Sequence, residues 1–293
     1  MQFYMVDVFA ERKYQGNQLA VLLPDKELAT SEMQQIAKEF NFSEITFILS
    51  DRKTDGGYEV RIFTPDLEIP FAGHPSLGTA YVIRHLLEED LKDEPVVLNL
   101  GVGQIPVSFS EGEGDIPVLW MKQKQPEFGA AIDPAVVAGI LQIDPEAIDA
   151  KYPIRTVSTG LPSVIVPLKT LDVVQRCAIH HGKFERFLKD VADANILVYA
   201  PETIHEANDL HVRVFVNDTG YYEDPATGSA NGNLASYLLE NRVLEKDRIE
   251  LRVEQGYSVG RDSLLLMDAS KSGELFDINI GGKVFPVAKG EWL

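Results

Sequence analysis

The chain repeats itself, and this duplication constrains the fold more than any other feature of the sequence. The tetrapeptide VRIF at residues 60–63 recurs as VRVF at residues 212–215, with the same alternation of inward and outward side chains. An amphipathic helix followed by an apolar strand also occurs twice, with the strands at residues 45–49 and 196–199. Such features, recurring in one order at nearly constant spacing, indicate two copies of one structural unit.

Each half also contains a glycine-containing turn that opens a second helix. The turns lie at residues 71–78 and 224–232, and the helices are predicted over residues 79–87 and 233–239. The helix of the first half has apolar residues on more than one side, which is typical of a helix surrounded by a curled sheet. The sequence therefore predicts an α+β fold with two pseudo-symmetric lobes, each a rolled mixed β-sheet around a central helix.

Two looser matches extend the repeat toward both ends of each half. The segment GNQLAV at residues 16–21 corresponds loosely to GLPSVIV at residues 160–166, and LNL at residues 98–100 corresponds to LRV at residues 251–253. The joint between the halves is then expected near residues 123–129.

Length and charge limit the classes of partner. The 293 residues exceed the usual size of a single hydrophobic core and carry a formal net charge of −18. Binding to nucleic acid or to an anionic membrane needs clustered Lys and Arg, so neither is expected. An acidic substrate would have to be held by local donors.

No apolar run approaches 18 residues, and residues 1–9 have the pattern of a strand, which predicts a cytoplasmic protein without a membrane span.

Several familiar motifs fail in this chain. The glycine spacing that begins at Gly73 lacks the lysine of a phosphate-binding loop, and the one that begins at Gly228 lacks the order of a dinucleotide fingerprint. His180 and His181 are adjacent and have no second ligand one helical turn away, so no metal is expected. Cys177, the single cysteine, excludes disulfides within the chain and is interpreted as a core residue rather than a nucleophile.

Positions that differ between the halves are candidates for chemistry. Glu44 lies between helix and strand in the first half, where the second half has Asn195. Flanking by Phe42, Ile45 and Phe47 would partly desolvate this carboxylate and raise its pKa toward the range of a proton shuttle. The alternative is a solvent-facing glutamate at the end of a strand.

The two turns support a binding role. Pro75 suits the first helical position, which would place His74 near the N-cap with Gly73 before it. Gly228 and Ser229 occupy the equivalent corner of the second half. Glycine lets a ligand approach the backbone, and the N–H groups of a helix start favour anions. The two corners, facing one shared site, would hold a small carboxylate or the negative charge that develops as a carbon acid loses its proton.

Structural alternatives exist for the same residues. The glycines also suit tight strand-to-helix turns, and His74 also suits a helix cap. Asp224 precedes a proline and also suits the start of a turn.

Taken together, the motifs resemble those of the phenazine-biosynthesis PhzF-like isomerase family. The resemblance runs from residue 3 to the final strand near residues 281–285. Its motifs are VDVF with GN at residues 6–9 and 16–17, FSEIT at 42–46, PFAGHP at 70–75, PEFG at 126–129, STGLP at 158–162 and EDPATGSA at 223–230.

The resemblance implies the fold of diaminopimelate epimerase, with the site in the cleft between two lobes. It also implies that the final strand returns to the first lobe, so the lobes comprise residues 1–122 plus 283–293 and residues 123–282. A homodimer is implied as well. One departure is Gln18, where many relatives have proline.

The resemblance assigns the family's catalytic carboxylate to Glu44, its supporting histidine to His74, and its aspartate and small polar residue to Asp224 and Ser229. The expected enzyme is a cofactor-independent isomerase that moves a proton on a small, carboxylate-bearing, cyclic or unsaturated metabolite. Glu44 would move the proton, and His74 and Asp224 would bind polar substituents and assist this catalytic step. Ser229, with backbone N–H groups around Gly73 and Gly228, would hold the substrate carboxylate.

Two alternative functions remain on the same scaffold. One is a non-catalytic binding protein. The other is a racemase or epimerase, although the amino-acid epimerases of this fold use two cysteines, one per lobe, and Cys177 lies outside both repeated turns.

Overall fold

The computed structural model describes residues 1–87, 94–112, 116–191, 193–218 and 221–293. The chain divides into two compact units. Unit 1 comprises Met1–Lys122 with Gly281–Leu293, and unit 2 comprises Gln123–Ile280.

Unit 1 is built from strands around one buried helix. Its strands are β1 Gln2–Val8, β2 Asn17–Leu23, β3 Ile45–Ile48, β4 Tyr58–Phe63, β5 Glu68–Ile69, β6 Val96–Leu100, β7 Gly103–Ser110 and β8 Val118–Lys122. Its helices are α1 Thr30–Phe40 and α2 Gly73–Val82, and a π-helical turn, Ile83–Leu87, continues α2.

Unit 2 has the same kind of elements with additional helices. Its strands are β9 Glu127–Ala131, β10 Arg155–Ser158, β11 Pro162–Pro167, β12 Asn195–Ala200, β13 Leu210–Asp218, β14 Tyr221–Asp224, β15 Arg248–Gln255 and β16 Ser263–Ser272. Its helices are α3 Pro134–Leu141, α4 Leu171–Arg176, α5 His181–Asp190 and α6 Gly228–Glu240, with short 3-10 turns at Pro145–Ala147 and Tyr257–Val259. The last strand, β17 Leu275–Glu291, begins in unit 2 and ends in unit 1.

In unit 1 a mixed sheet packs around α2. Strand β1 is antiparallel to β2 and to β17, β2 is parallel to β3, and β3 is antiparallel to β4. Strand β4 is antiparallel to β5 and parallel to β6, which continues through β7 to β8. Helix α2 is buried at nearly every position and contacts strands on several sides. At Gly78 a β-carbon would meet the side chains of Val8 and Leu19, so glycine permits this close packing.

Unit 2 repeats this plan around α6. Strands β11 and β12 are parallel, β12 and β13 antiparallel, β13 and β15 parallel, and β15 and β16 antiparallel. Helix α6 is buried from its first residue to Leu239 and contacts β10, β11, β12, β15 and β16. An α+β fold, with a mixed sheet around a central helix in each unit, is thereby confirmed.

The outer faces of the sheets are covered by the peripheral helices. In unit 1, α1 packs Met33 and Ile36 against the buried faces of β2 and β3. In unit 2, α3, α4 and α5 form a larger apolar cluster that includes Phe184 and Phe187.

The boundaries of the central helices differ from the prediction. Helices α2 and α6 begin at Gly73 and Gly228, several residues before the predicted starts. The glycine, serine and alanine residues that were interpreted as turns form the first helical turns. Small side chains suit a helix that is enclosed by strands, so here packing outweighs the usual preference of glycine and serine for turns.

A second prediction was wrong by two residues. The parallel pairing of Tyr58 with Leu98 in unit 1 corresponds to that of Leu210 with Val253 in unit 2. Residue 98 therefore aligns with residue 253 and not with residue 251.

The repeat extends to a side-chain ion pair. Arg61 on β4 binds Glu68 through two guanidinium nitrogens, and Arg213 on β13 binds Glu223 in the same way. Both pairs join the same two strands of their unit.

Within the described ranges, the helices are too short or too polar to cross a membrane.

Candidate functional site

The central helix of unit 1 begins with an uncapped first turn. The N-cap residue is Ala72, in an extended conformation with φ −151° and ψ 148°. Alanine has no side-chain oxygen with which to cap the helix, and Gly73 and His74 supply the N–H groups of the first turn, which in any α-helix lie beyond the reach of the helix's own carbonyls. Ser76 donates its hydroxyl to the Ala72 carbonyl at 2.7 Å.

His74 is the second residue of α2, and it is not the N-cap. Pro75 is correspondingly the third helical residue rather than the first, a position where its missing N–H is still tolerated. The imidazole is 5% exposed, and its Nε2 lies 3.6 Å from Oε2 of Glu44.

Glu44 directly precedes β3, and its side chain is 17% exposed. It is therefore mostly enclosed and is not the solvent-facing strand end of the alternative interpretation. The structure thus brings Glu44, His74 and Gly73 together at one helix start.

Two further polar side chains complete this cluster. Asn17, the first residue of β2, places its Nδ2 3.2 Å from Nδ1 of His74. Ser43 donates its hydroxyl to Oδ1 of Asn17 at 3.3 Å. Sequence reasoning assigned no role to either residue, although both lie inside motifs that carry the family resemblance.

The central helix of unit 2 begins with a different side-chain arrangement. Its N-cap is Thr227, extended with φ −114° and ψ 93°. The Thr227 hydroxyl accepts no cap hydrogen bond from the helix and donates instead to Oδ2 of Asp224. Asp224 is the last residue of β14 and is buried. Its carboxylate binds the Thr227 hydroxyl, so its role is not limited to starting an Asp-Pro turn. Gly228 and Ser229 are the first and second residues of α6.

Gln255, at the end of β15, organises this second start. Its Oε1 accepts from the backbone N–H of Thr227 at 3.3 Å and from Nδ2 of Asn231 at 2.9 Å. Its Nε2 donates to the Asp224 carbonyl at 2.8 Å and to the Thr227 hydroxyl at 3.1 Å. Gln255 is fully buried, and the sequence analysis assigns it no role. The available signal was a polar residue at the end of a strand, directly before Gly256.

The comparison with known proteins identifies the family. A family model described as phenazine biosynthesis-like protein (PhzC-PhzF) matches residues 6–290. The chain belongs to this family.

Curated relatives and a solved structure cover nearly the whole chain. An uncharacterized isomerase of Mesorhizobium japonicum is 32% identical over 99% of this chain and 97% of the relative. Trans-2,3-dihydro-3-hydroxyanthranilate isomerase of Pseudomonas aeruginosa is 30% identical over 99% and 98%. A PhzF-family protein of Bacillus anthracis superposes with a TM-score of 0.90 at 30% identity, covering 100% and 99%. The protein is therefore an isomerase of the PhzF type with a diaminopimelate-epimerase-like fold.

In this PhzF-type isomerase Cys177 is a core residue. Its side chain is buried among the apolar residues of unit 2, and its Sγ donates to the carbonyl of Val173. Burial raises the pKa of the thiol to about 12, so a reactive thiolate is disfavoured at neutral pH.

The adjacent histidines have structural contacts. His180 caps α5, with Nδ1 accepting from the backbone N–H of Lys183, and the ring of His181 packs against Tyr222 at 4.1 Å. Across the part of the chain that the structure describes, three or more His, Cys, Asp or Glu side chains do not gather in a geometry suited to a metal ion.

The strand registers show which positions of the two units correspond. Residues of the unit 1 cluster align with apolar or neutral residues of unit 2: Asn17 with Leu161, Glu44 with Asn195 and His74 with Ser229. The polar residues at the unit 2 start align with apolar residues of unit 1: Asp224 with Ile69, Thr227 with Ala72 and Gln255 with Leu100. The two units therefore carry their polar clusters at different positions of one scaffold.

Proposed function

We propose that the protein is a cofactor-independent isomerase that moves a proton along a small, unsaturated molecule bearing a carboxylate. The observation that carries the proposal is the pairing of Glu44 with His74, 3.6 Å apart and largely shielded from water, at the start of a central helix. General acid–base catalysis commonly uses titratable side chains that lie close together and are partly buried.

In the proposed reaction Glu44 alone carries the proton. Its carboxylate removes a proton from a carbon that a conjugated π system makes acidic, and the C–H electron pair enters that system. The protonated Glu44 then returns the proton to another carbon of the system on the same face. One C–H bond breaks and one forms, so the step balances without an oxidant, reductant or second substrate.

The first turn of α2 is proposed to stabilise negative charge. Gly73 and His74 supply the first N–H groups of the helix, and the helix dipole adds a partial positive charge at this end. These donors suit either a substrate carboxylate or the charge that develops on the deprotonated substrate.

The residues of unit 2 are assigned to the same reaction as binding groups. We assign Asp224 to a polar substituent of the substrate, and Ser229 with the N–H of Gly228 to its carboxylate. A curated relative isomerises trans-2,3-dihydro-3-hydroxyanthranilate, which makes cyclic dienes with amino, hydroxyl and carboxylate groups the first substrate class to test. A homodimer and a cytoplasmic location are part of the same proposal.

The racemase alternative has weaker support. A two-thiol mechanism needs cysteines at the helix starts, and the sequence has His74 and Ser229 as the second helical residues there. Its single cysteine, Cys177, is buried with a raised pKa.

The test combines ligand binding with proton exchange. Wild type, Glu44→Gln and the exposed control Glu39→Gln are unfolded thermally with a panel of small carboxylates that includes cyclic dienes and anthranilate-like acids. A ligand at about 100 times its dissociation constant adds roughly 2.7 kcal/mol, which shifts the midpoint by a few degrees. Ligands that bind are then incubated in D2O, and NMR follows isomerisation and deuterium uptake.

We expect Glu44→Gln to lose about 10²- to 10⁴-fold in turnover while Glu39→Gln matches wild type. Near-full turnover in Glu44→Gln would contradict the mechanism. If the panel neither binds nor reacts, and a protein partner is captured equally by wild type and by a Glu44→Gln, His74→Gln double variant, the protein is a binding module instead.

A further inference from the structure

The cluster around His74 contains a second layer of contacts that the proposed reaction does not use directly. Ser43, Asn17, His74 and Glu44 form a continuous chain of polar side chains, with Ser43 bound to Asn17 and Asn17 bound to His74. Asn17 and His74 are both buried, so water does not compete for the hydrogen bond between their side chains.

The direction of each hydrogen bond in this chain follows from the atoms. The Ser43 hydroxyl donates to Oδ1 of Asn17, which leaves the NH2 group of the amide facing the imidazole. An amide NH2 has hydrogens to donate and no acceptor capacity, so Nδ1 of His74 must receive through its lone pair. A neutral imidazole with an unprotonated Nδ1 carries its proton on Nε2.

The proton on Nε2 is directed toward Glu44, since Nε2 is the imidazole nitrogen that lies 3.6 Å from the Glu44 carboxylate. A doubly protonated ring would place an N–H at Nδ1 against the NH2 of Asn17, and two donors facing each other are unfavourable. The contact with Asn17 therefore favours the neutral imidazole that carries its proton on Nε2.

We infer that Asn17 is a positioning residue that fixes His74 as the neutral tautomer with its proton on Nε2. The inference deepens the proposed function and rests on it for the catalytic role of Glu44. The tautomer of His74 can be measured without a substrate, because it exists in the free protein.

The backbone around Asn17 is built to hold this contact. Gly16 adopts φ +71°, and a β-carbon there would collide with the carbonyl oxygen of Val8, so the residue before Asn17 must be glycine. Asn17 itself pairs with Val8 as the first residue of β2. Unit 2, which has Ser229 in place of the histidine, has Leu161 in place of the asparagine.

The test is nitrogen NMR of the imidazole rings in the intact, uniformly ¹⁵N-labelled protein. Six histidines contribute signals, and the His74→Gln variant identifies those of His74. We expect wild-type His74 to show an unprotonated Nδ1 and a protonated Nε2 at neutral pH.

The decisive variant is Asn17→Asp, with Gln35→Glu on the exposed face of α1 as a control for the added negative charge. A carboxylate at position 17 accepts a hydrogen bond from a protonated Nδ1, so it favours the other tautomer or the doubly protonated ring. We expect the His74 signals to change in Asn17→Asp and to stay unchanged in Gln35→Glu. Ser43→Ala, which loosens the amide but leaves it neutral, is expected to give wild-type signals that are broadened.

The inference is overturned if wild-type His74 carries its proton on Nδ1, or if folded Asn17→Asp has wild-type His74 signals. Circular dichroism and thermal unfolding establish that the variant is folded. With a substrate in hand, Asn17→Asp should lower kcat by about 10²-fold, with a smaller change in KM. A correct tautomer together with an active Glu44→Gln enzyme would refute the proposed reaction while leaving the positioning role intact, so the two failures are distinguishable.

Discussion

The two units start their central helices with the same backbone and with different side chains. Both helices begin at a glycine after an extended N-cap, and in both the fourth residue donates back to the N-cap carbonyl, from Ser76 to Ala72 and from Asn231 to Thr227. These shared features are what an enclosed helix start requires. The chemistry of each unit therefore depends on positions that the scaffold leaves free to differ.

The differences have opposite characters in the two units. In unit 1 the imidazole of His74 lies beside the Glu44 carboxylate, and neutral groups orient the imidazole. In unit 2 the carboxylate of Asp224 is bound by a threonine hydroxyl, and an amide holds the surrounding backbone. Unit 1 is thus suited to moving a proton, and unit 2 is suited to presenting a fixed acceptor.

The largest expected stability effect concerns the duplicated ion pair. The Arg213–Glu223 side chains are 9% and 10% exposed, whereas those of Arg61–Glu68 are 25% and 38% exposed. Removing one partner of a buried pair leaves a charge without compensation, so Glu223→Gln should cost about 3–5 kcal/mol of unfolding free energy. The matched change Glu68→Gln should cost about 1 kcal/mol or less.

Urea unfolding of both variants measures this contrast. Arg213 also donates to backbone carbonyls at the end of α4. Because Glu223→Gln loosens Arg213, hydrogen exchange of the α4 amide protons should also be faster in this variant than in wild type. Equal costs in the two variants would show that burial does not distinguish the two copies.

The second prediction tests the amide that holds the unit 2 start. Gln255→Leu introduces the residue type that unit 1 has at Leu100 and leaves buried partners unpaired around Thr227. Each such group costs about 1–3 kcal/mol. Gln255→Glu keeps the acceptor but replaces the amide donor by a buried charge that faces the Asp224 carbonyl, so it should cost at least as much as the leucine variant.

Thermal unfolding with and without a bound carboxylate ligand follows both Gln255 variants. If the amide positions Asp224, ligand stabilisation is smaller in both Gln255→Glu and Gln255→Leu than in wild type. Unchanged ligand stabilisation in a destabilised Gln255→Leu protein would show that Gln255 supports the fold without positioning the site.

The third prediction concerns the pH dependence of stability and the cross-strand pair His211–Glu254 of unit 2, which has a different counterpart in unit 1. Burial alone would raise the pKa of Glu254, but hydrogen bonds from His211, Asn208 and the backbone N–H groups of Ile204 and His205 outweigh it and hold the pKa below its usual range. The corresponding pair of unit 1 joins Glu59 to the neutral amide of Asn99.

A lowered pKa stabilises the folded state above the pKa of the unfolded chain, and the contribution is lost as pH falls through the folded value. Glu254→Gln should therefore cost about 1.5–3 kcal/mol near pH 7 and progressively less below about pH 4.5. Unfolding free energies measured from pH 7 to pH 3 test this; a cost independent of pH would mean that the charge of Glu254 contributes nothing.

The repeat itself was readable from the sequence because strand alternation and helix periodicity are local patterns. The error of two residues in aligning LNL with LRV has a simple cause: a shift of two preserves which side chains face inward, so alternation alone does not detect it. The helix starts were misplaced because Gly73 and Gly228 read as turns until the surrounding strands are known.

Within the candidate sites, Glu44, His74, Asp224 and Ser229 were named from the sequence, whereas Asn17 and Gln255 received no role. Asn17 contacts a residue 57 positions away, and Gln255 contacts residues 24 to 31 positions away. Such contacts depend on strand pairing between distant segments, which side-chain patterns do not specify.

The smallest expected effect is that of Cys177→Ser, which tests whether this core residue of unit 2 contributes to stability alone or also to turnover. Cys177→Ser replaces a buried thiol, whose Sγ donates to the Val173 carbonyl, by a hydroxyl that can make the same bond. We expect about 1 kcal/mol of destabilisation and unchanged turnover, measured by urea unfolding and by proton exchange into a substrate. A raised pKa already disfavours the thiolate, so a large loss of turnover without a matching loss of stability would revive the thiol mechanism and contradict the assignment of proton transfer to Glu44.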